Sequence, residues 1–214
     1  VPIGLLPLGT ANILAHELSV PKIPEAAAQA IEEGRVRWLD MGLANEHRFL
    51  MVASAGIDAM VTAEMRRKRR KKLGYWGYVI PVFRALSQYW VPRLSVEVDE
   101  QKAVQGGFVV VSNTKNYGGI FTFADRARCD SGYLDVCVFP KGTLFALLRY
   151  YFAALRGRVS KETDVNYLLG KRIRIESQQP VAVQVDGDPF GTTPVLIDII
   201  PSSVPIIAPQ SEAE

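Results

Sequence analysis

The sequence predicts an α+β fold built on an antiparallel β-sandwich with peripheral helices. Short apolar segments recur through the second half of the chain, and turn signals such as Asp186-Gly187 separate them. Only a few stretches carry helical periodicity. With 214 residues and 48% hydrophobic content, the chain can form one large domain, or one domain plus a fragment of another.

The first element is a strand over residues 3–6, which Pro7 stops. Gly9 allows a tight turn, and Thr10 is a good N-cap for a helix over residues 11–18. A strand that passes through such a turn into a helix presents free backbone N–H groups and a hydroxyl to an anion. An ordinary joint without a ligand explains the same pattern.

The remaining elements follow from periodicity and from Gly and Pro breaks. We expect further helices over residues 25–33, 58–68, 75–90 and 143–155, and strands over residues 35–42, 48–55, 94–98, 107–112, 134–139, 171–176, 181–185 and 195–200. Residues 210–214 are polar, and we expect a disordered tail there.

The positive charge is concentrated in one run of seven Arg and Lys residues that begins at Arg66 and ends at Lys72. The net charge is +3, so the rest of the chain is net acidic, which disfavours a nucleic-acid module. The run is a solvated helix end, a phosphate clamp or a patch for anionic lipid. Aromatic residues directly after it, beginning with Tyr75 and Trp76, favour lipid headgroups.

The cysteines and histidines do not form a metal-binding or disulfide pattern. The spacing of Cys129 and Cys137 fits neither a metal site nor a disulfide framework. His16 and His47 lie far apart in the sequence, without neighbouring ligands. No signal peptide or membrane-spanning apolar run is visible. We therefore expect a cytoplasmic protein.

Two acidic segments are candidates for chemistry. Asp186-Gly187-Asp188 places two carboxylates around a hairpin glycine. This segment is either an ordinary solvated turn or the site of a general base that takes a proton from a hydroxyl nucleophile. The segment around Asp130-Ser131-Gly132 could bind Mg²⁺ through carboxylate, hydroxyl and carbonyl oxygens.

The order of several motifs is more specific than any one of them. The motifs are Leu6-Pro7-Leu8-Gly9-Thr10-Ala11-Asn12, Ala55-Gly56-Ile57-Asp58, Lys72-Leu73-Gly74-Tyr75, Ser131-Gly132-Tyr133-Leu134-Asp135-Val136 and Val185-Asp186-Gly187-Asp188. This order resembles the diacylglycerol kinase/sphingosine kinase-like lipid kinases, and the bacterial diacylglycerol kinase and YegS-like branch in particular.

The resemblance implies a nucleotide-binding α/β domain, a C-terminal β-sandwich domain, and an active site between them. It places this chain in the C-terminal portion: residues 1–34 as a remnant strand and helix of the nucleotide domain with a connecting helix, residues 35–209 as the sandwich, and 210–214 as the tail. The family's Gly-Gly-Asp-Gly-Thr loop, which wraps the ATP phosphates, does not occur in this sequence. We therefore expect residues 1–214 to be inactive alone.

The implied reaction moves the γ-phosphoryl group of MgATP to a lipid hydroxyl. By resemblance, Asp188 is the base at a position where the family usually has Glu, and Asp186 helps to organise metal-bound water. Lys72 contacts phosphate. Thr10 contacts ATP, within the turn that also contains Gly9 and Asn12.

The resemblance also implies a structural Mg²⁺ site in the loop before Leu134. Its ligands would be the carbonyl oxygens of Arg128 and Tyr133 together with Ser131, where the family has Asp, and Asp130 precedes that position. A further departure is Ile13, where many members have Asp.

The implied partners are a lipid substrate at the membrane surface and anionic headgroups bound by the basic run, hence peripheral membrane association. Homo-oligomer formation stays open. The alternatives are a non-catalytic lipid-binding protein and an NAD kinase-like enzyme. Several aromatic residues would line an acyl site or pack in the core: Phe108, Phe121, Phe123, Tyr150, Tyr151 and Phe152.

Overall fold

The computed structural model describes residues 1–9, 12–68 and 91–209. The helices are α1 (Ile13–Glu17), α2 (Pro24–Glu33), α3 (Ile57–Lys68) and α4 (Leu144–Leu155), with a 3-10 helix at Val159–Lys161. The strands are β1 (Ile3–Gly4), β2 (Arg35–Ala44), β3 (His47–Phe49), β4 (Val52–Ala55), β5 (Leu94–Val98), β6 (Val104–Gly106), β7 (Phe108–Ser112), β8 (Leu134–Phe139), β9 (Asn166–Gly170), β10 (Arg172–Ser177), β11 (Ala182–Val185), β12 (Asp188–Thr192) and β13 (Val195–Ala208).

Two sheets carry the described part of the fold. Sheet A has the order β3-β2-β13-β10-β5-β6, and β1 pairs in parallel with β13. Sheet B has the order β12-β11-β4-β7-β8-β9, and its neighbouring strands are antiparallel. The predicted α+β fold with an antiparallel β-sandwich is confirmed.

The main core lies between the sheets, and a second core lies on the outer face of sheet B. Alternate residues of β5 (Leu94, Val96 and Val98) point into the main core, as the period of a half-buried strand requires. Strands β7 and β8 are buried along their whole length, because residues of α3 and α4 form the second core with them. No helix in these ranges is both long and apolar enough to span a membrane.

The expected strand over residues 48–55 is wrong as a single element. The chain breaks at Leu50 and Met51, so that β3 joins sheet A beside β2 while β4 joins sheet B between β11 and β7. The Phe49 ring covers Gly42 so closely that a Cβ there would lie 2.0 Å from the ring. Because β3 and β4 belong to different sheets, residues 48–55 cross from one layer of the sandwich to the other.

Several further elements differ from expectation. Strands β6, β9 and β12 have no predicted counterpart, and β13 continues to Ala208 through a register shift between Ile200 and Val204. Helix α1 begins at Ile13, after Asn12 in a left-handed conformation, and not after a Thr10 cap. The expected helix over 75–90 and the tail at 210–214 lie outside the described residues.

Candidate active site

The predicted Asp186-Gly187 hairpin connects β11 to β12. Val185 and Asp188 are paired across it, so the loop has two residues. Their φ angles, 47° at Asp186 and 83° at Gly187, are both positive, as a type I′ turn requires. Asp188 is the first residue of β12 and is exposed. The turn therefore places this carboxylate at the end of a strand pair and in contact with solvent.

The Asp186 carboxylate holds the hairpin against the crossover between the sheets. Its Oδ2 accepts a hydrogen bond from Leu50 N–H at 2.8 Å, and its Oδ1 accepts from Met51 and Val52 N–H at 2.9 Å each. The Asp186 N–H donates to the Val52 carbonyl at 2.8 Å. Both carboxylate oxygens thus serve as backbone acceptors, and the role in organising metal-bound water stays a prediction.

A buried polar network supports the other side of the hairpin. Gln184 Oε1 accepts from Gly187 N–H at 2.7 Å, and Gln184 Nε2 lies 2.9 Å from Ser54 Oγ and 3.3 Å from Asp58 Oδ2. Ser54 Oγ and Tyr117 OH donate to the same Asp58 oxygen at 2.5 and 2.7 Å. Asp58, in the first turn of α3, therefore lies at the centre of a network that reaches the loop beside Asp188.

Burial dominates the electrostatics of this network. It raises the pKa of the Asp58 carboxyl above its usual range, although hydrogen bonds from Ser54, Tyr117 and Gln184 lower it. Burial and the neighbouring Asp58 raise the pKa of Tyr117 well above its ordinary value. The sequence interpretation assigned no role to Ser54, Asp58, Tyr117 or Gln184. The one available signal was Asp58, in the quoted Ala55-Gly56-Ile57-Asp58 motif.

The polar loop after β7 connects α1 to the sheet crossover. Asn113 Nδ2 donates to the carbonyls of Asp40 and Leu50 at 2.9 Å each, while its buried Oδ1 has no hydrogen-bond partner among the described residues. Glu17, the last residue of α1, accepts from the backbone N–H groups of Lys115 and Asn116 at 3.1 Å each. Because Leu50 also donates to Asp186, hydrogen bonds run from α1 through this loop to the hairpin. Sequence reasoning did not identify Glu17 or Asn113.

The turn predicted to contact ATP is closed by its own side chain. Asn12 Oδ1 accepts from Gly9 N–H at 2.8 Å, and Asn12 Nδ2 donates to the carbonyls of Pro7 and Gly9 at 2.9 Å each. Gly9 and Asn12 thus lie together, and their role in binding ATP stays a prediction. Thr10 and Lys72 lie outside the described residues, so their assignments stay predictions.

The loop proposed for Mg²⁺ does not fit a divalent cation. Asp130 is paired with Arg37 at 2.9 Å and with Arg128 at 3.2 Å. Burial raises the pKa of Asp130, but hydrogen bonds from both arginines outweigh it and leave the pKa lowered. Ser131 Oγ donates to the Tyr133 carbonyl at 3.1 Å. The two guanidinium groups would repel a cation here, and the described residues contain no group of three or more His, Cys, Asp or Glu placed for a metal.

Asp40 performs a structural role beneath this loop. Its buried carboxylate accepts from Gly132 N–H at 2.6 Å and from Ser202 N–H at 2.8 Å. It thus joins the loop to the irregular part of β13. Cys129 is free and buried, and burial raises its pKa to about 11, so the thiol stays protonated and unreactive at neutral pH.

The aromatic residues considered for an acyl site differ in burial. Phe108, Phe123 and Tyr150 are fully buried in the second core, which supports their interpretation as core residues. Phe121 and Tyr151 are partly buried beside them, with ring centroids 5.5 Å apart. Phe152 points outward and is 52% exposed.

Comparisons with known proteins identify the same family for both parts of the chain. Residues 51–208 match the YegS C-terminal NAD kinase beta sandwich-like domain, and residues 1–44 match the diacylglycerol kinase catalytic domain. A protein named diacylglycerol kinase from Staphylococcus saprophyticus is 27% identical, over 90% of this chain and 63% of its own length. Uncharacterized protein sll0036 of Synechocystis is 26% identical, over 98% of this chain and 50% of its own length. The chain thus spans about half to two thirds of these relatives.

Solved structures agree with the family in fold. One from Bacillus anthracis superposes with a TM-score of 0.79 at 26% identity, covering 97% of this chain and 68% of that chain. A diacylglycerol kinase structure from the same organism gives a TM-score of 0.72 at 22% identity, covering 99% and 67%, and supports the fold alone. The sandwich, the acidic hairpin and the family match over residues 51–208 show that the chain belongs to the diacylglycerol kinase and YegS-like family.

Proposed function

We propose that this chain is part of an ATP-dependent lipid kinase that transfers the γ-phosphoryl group of MgATP to the hydroxyl of a lipid such as diacylglycerol. The name of the Staphylococcus saprophyticus relative supports the reaction class. The observation that carries the proposal for this chain is the acidic hairpin. It exposes Asp188 while Asp186 and Gln184 hold the two-residue loop on opposite sides.

In this reaction the lipid oxygen attacks the γ-phosphorus, and the bond from that phosphorus to the β,γ-bridging oxygen breaks. The hydroxyl proton passes to the Asp188 carboxylate, and ADP leaves with its Mg²⁺. Phosphoryl transfer depends mainly on positioning and on neutralising charge. A carboxylate at a loop held on two sides meets the first requirement, because its distance to a bound hydroxyl varies little.

The nucleotide side is proposed from the resemblance. Thr10 contacts ATP in the turn that Gly9 and Asn12 form, and Lys72 contacts phosphate. Mg²⁺ arrives with the nucleotide as part of the substrate. The Arg128–Tyr133 loop is not assigned a metal, because its Asp130 already binds two guanidinium groups.

The lipid side requires access to a membrane. We propose peripheral association on the cytoplasmic face, with the basic run at residues 66–72 attracted to anionic headgroups. Each basic residue near such a surface contributes roughly 1 kcal/mol. The sequence supports this through the aromatic residues that follow the run.

The test uses the longer protein that carries this chain, with radiolabelled MgATP and diacylglycerol in mixed micelles. Asp188→Asn should lower kcat by about 10²-fold or more, the range for losing a general base. Asp188→Glu keeps the carboxylate and should retain activity. Glu176→Gln, at an exposed position of β10, is the matched control and should leave the rate unchanged. An Asp188→Asn protein as active as wild type would refute the assignment of the base.

The same assay separates the alternatives. Vesicle binding without phosphoryl transfer, in wild type as in Asp188→Asn, would indicate a non-catalytic lipid-binding protein. Transfer to NAD but not to diacylglycerol would indicate an NAD kinase-like enzyme. Residues 1–214 alone, which contain no Gly-Gly-Asp-Gly-Thr loop, serve as the control expected to be inactive.

A further inference from the structure

Helix α4 has one face in the second core and an opposite face that is apolar and exposed. Ala146, Leu147, Tyr150, Ala153 and Ala154 are buried. The opposite residues, here called the α4 outer face, are Leu144, Phe145, Leu148, Phe152 and Leu155, with exposed fractions of 52%, 80%, 58%, 52% and 52%. Positions 144, 148, 152 and 155 are three or four residues apart, so they form one stripe along the helix.

A further exposed apolar residue lies in a loop that is hydrogen-bonded to the end of α4. Thr122 N–H donates to the carbonyl of Ala154 at 2.9 Å, which places the preceding loop against the end of α4. Ile120 belongs to that loop and is 67% exposed. Single exposed apolar residues are ordinary, but a contiguous group of large ones marks a surface that binds something.

The charges around the α4 outer face are mainly positive. Helix α4 contains no acidic residue, and residues 141–164 contain five cations and two acids. Both acids are already paired: Asp164 binds Lys141 and Arg149, and Glu162 binds Arg149. The exposed Arg156 places its guanidinium 4.0 Å from the centroid of the Phe152 ring, at the edge of the stripe. The surface thus combines Leu and Phe with a basic border, in which Arg156 is the residue that contacts the stripe.

We propose that the α4 outer face is a membrane-contact surface that inserts its Leu and Phe side chains into the interface of an anionic bilayer. Helices that lie in this interface have Leu and Phe on one side and Lys and Arg beside it. The apolar residues lose contact with water, while the basic border meets lipid phosphates. This surface contains none of the residues of the basic run at 66–72.

A second copy of the chain is a poorer occupant. A two-fold dimer through the same face would bring two sets of the same cations together, whereas anionic headgroups neutralise them. This proposal rests on the proposed lipid kinase function in one respect: the kinase function explains why the protein would be held at the membrane, where its substrate lies. The binding itself requires neither ATP nor phosphoryl transfer, so the two can fail independently.

The experiment measures partitioning of the 214-residue chain into phosphatidylcholine vesicles that contain phosphatidylglycerol. Leu148→Glu should weaken partitioning about tenfold or more, because it replaces an inserted apolar group by a charge of the same sign as the lipid. Leu169→Glu is the matched control, since Leu169 on β9 is 54% exposed, and it should change partitioning little. Equal effects of the two variants would overturn the proposal.

A second measurement does not depend on a loss of binding. A polarity-sensitive fluorophore is attached at Leu148→Cys or Leu169→Cys; the native Cys129 and Cys137 are buried and should not react in the folded protein. Vesicles should shift the emission to the blue only for the label at position 148. No shift there would overturn the proposal, and so would a shift that follows protein concentration without vesicles, which would indicate self-association. A shift at position 148, combined with no kinase activity of the longer protein in the assay with MgATP and diacylglycerol, would refute the proposed function and leave the membrane surface supported.

Discussion

Replacing Asp186 by asparagine changes one atom at the point where the hairpin meets the sheet crossover. The carboxylate accepts three backbone N–H groups, from Leu50 on one oxygen and from Met51 and Val52 on the other. Asparagine tolerates the left-handed φ of 47° at this position. The substitution therefore tests the carboxylate without adding backbone strain.

The expected loss can be worked out bond by bond. In the asparagine variant one oxygen still accepts from two N–H groups, but the amide nitrogen faces the third donor. A hydrogen bond to a charged group contributes about 1.5 to 3 kcal/mol, and leaving a buried donor unpaired costs a similar amount. Because Asp186 is half-buried, water recovers part of this. We expect Asp186→Asn to lower the free energy of unfolding by about 2 kcal/mol. Asp186→Ala adds the left-handed strain and should lose about 4 kcal/mol.

The assay is urea unfolding at neutral pH, with the m-value compared between variants. Asp99→Asn is the matched control. Asp99 also has a left-handed φ, 48°, but one of its oxygens alone accepts from Lys171 and Arg172 N–H at 2.9 and 2.8 Å. An exposed asparagine can keep both bonds, so the loss should stay below about 1 kcal/mol. If the two asparagine variants are equally stable, the hairpin is not held as argued.

Two further predictions concern pH. Burial raises the pKa of Asp58 above its ordinary value of 3.8, so its contribution to stability falls as pH rises from that value. Relative to wild type, Asp58→Asn should gain up to about 1.4 kcal/mol of unfolding free energy per pH unit in unfolding titrations, until the folded pKa is reached. A stability difference that stays constant with pH would contradict this. At Asp164, burial is outweighed by hydrogen bonds from Arg149, Tyr150 and Lys141, which hold the pKa at about 2. The ionised Asp164 contributes about 1 to 2 kcal/mol to the free energy of unfolding after screening, and this contribution should be lost as pH falls from about 4 to about 2. Arg149→Met should remove this acid-sensitive contribution from the unfolding free energy. Arg172→Met changes an exposed ion pair and should leave it in place.

Local signals predicted the elements that depend on local chemistry. Asp186-Gly187 follows a run of alternating valines that begins at Val181, and only residues that accept positive φ suit such a loop, so the hairpin could be identified from sequence. Thr143 likewise marks the start of the apolar helix, and its hydroxyl accepts from Ala146 N–H. The fold class followed from the number and spacing of the apolar segments.

Other elements depend on partners that are distant in sequence. The break at Leu50 and Met51 occurs inside an apolar run, and its backbone N–H groups are satisfied by Asp186, more than 130 residues away. Pro201 and Pro205 suggest the end of a strand, yet β13 continues, with Pro205 paired to Trp38. No local pattern reports such contacts.

The candidate site likewise has residues that local sequence patterns indicate and residues that only distant contacts explain. The motif order indicated Asp188, Asp186, Gly9 and Asn12, but it attached no role to the buried Gln184. A glutamine in an alternating strand looks like an outward-facing residue, and its role is visible only once β11 lies between β12 and β4. At the Ser131 segment, sequence predicted a role that the structure does not support. Its composition suits a cation, but Asp130 is already paired with Arg37 and Arg128.

The long pairing of β2 with β13 has a consequence for anyone who exchanges parts between relatives. Residues 1–44 match one family model and residues 51–208 another, yet β2 is hydrogen-bonded to β13 from Ala44 to Arg35. A chimera joined at the gap between the two matches would give β13 a foreign neighbour along its whole length. A junction placed before Arg35 leaves that ladder within one parent, and recombinant hybrids of these proteins should be cut there.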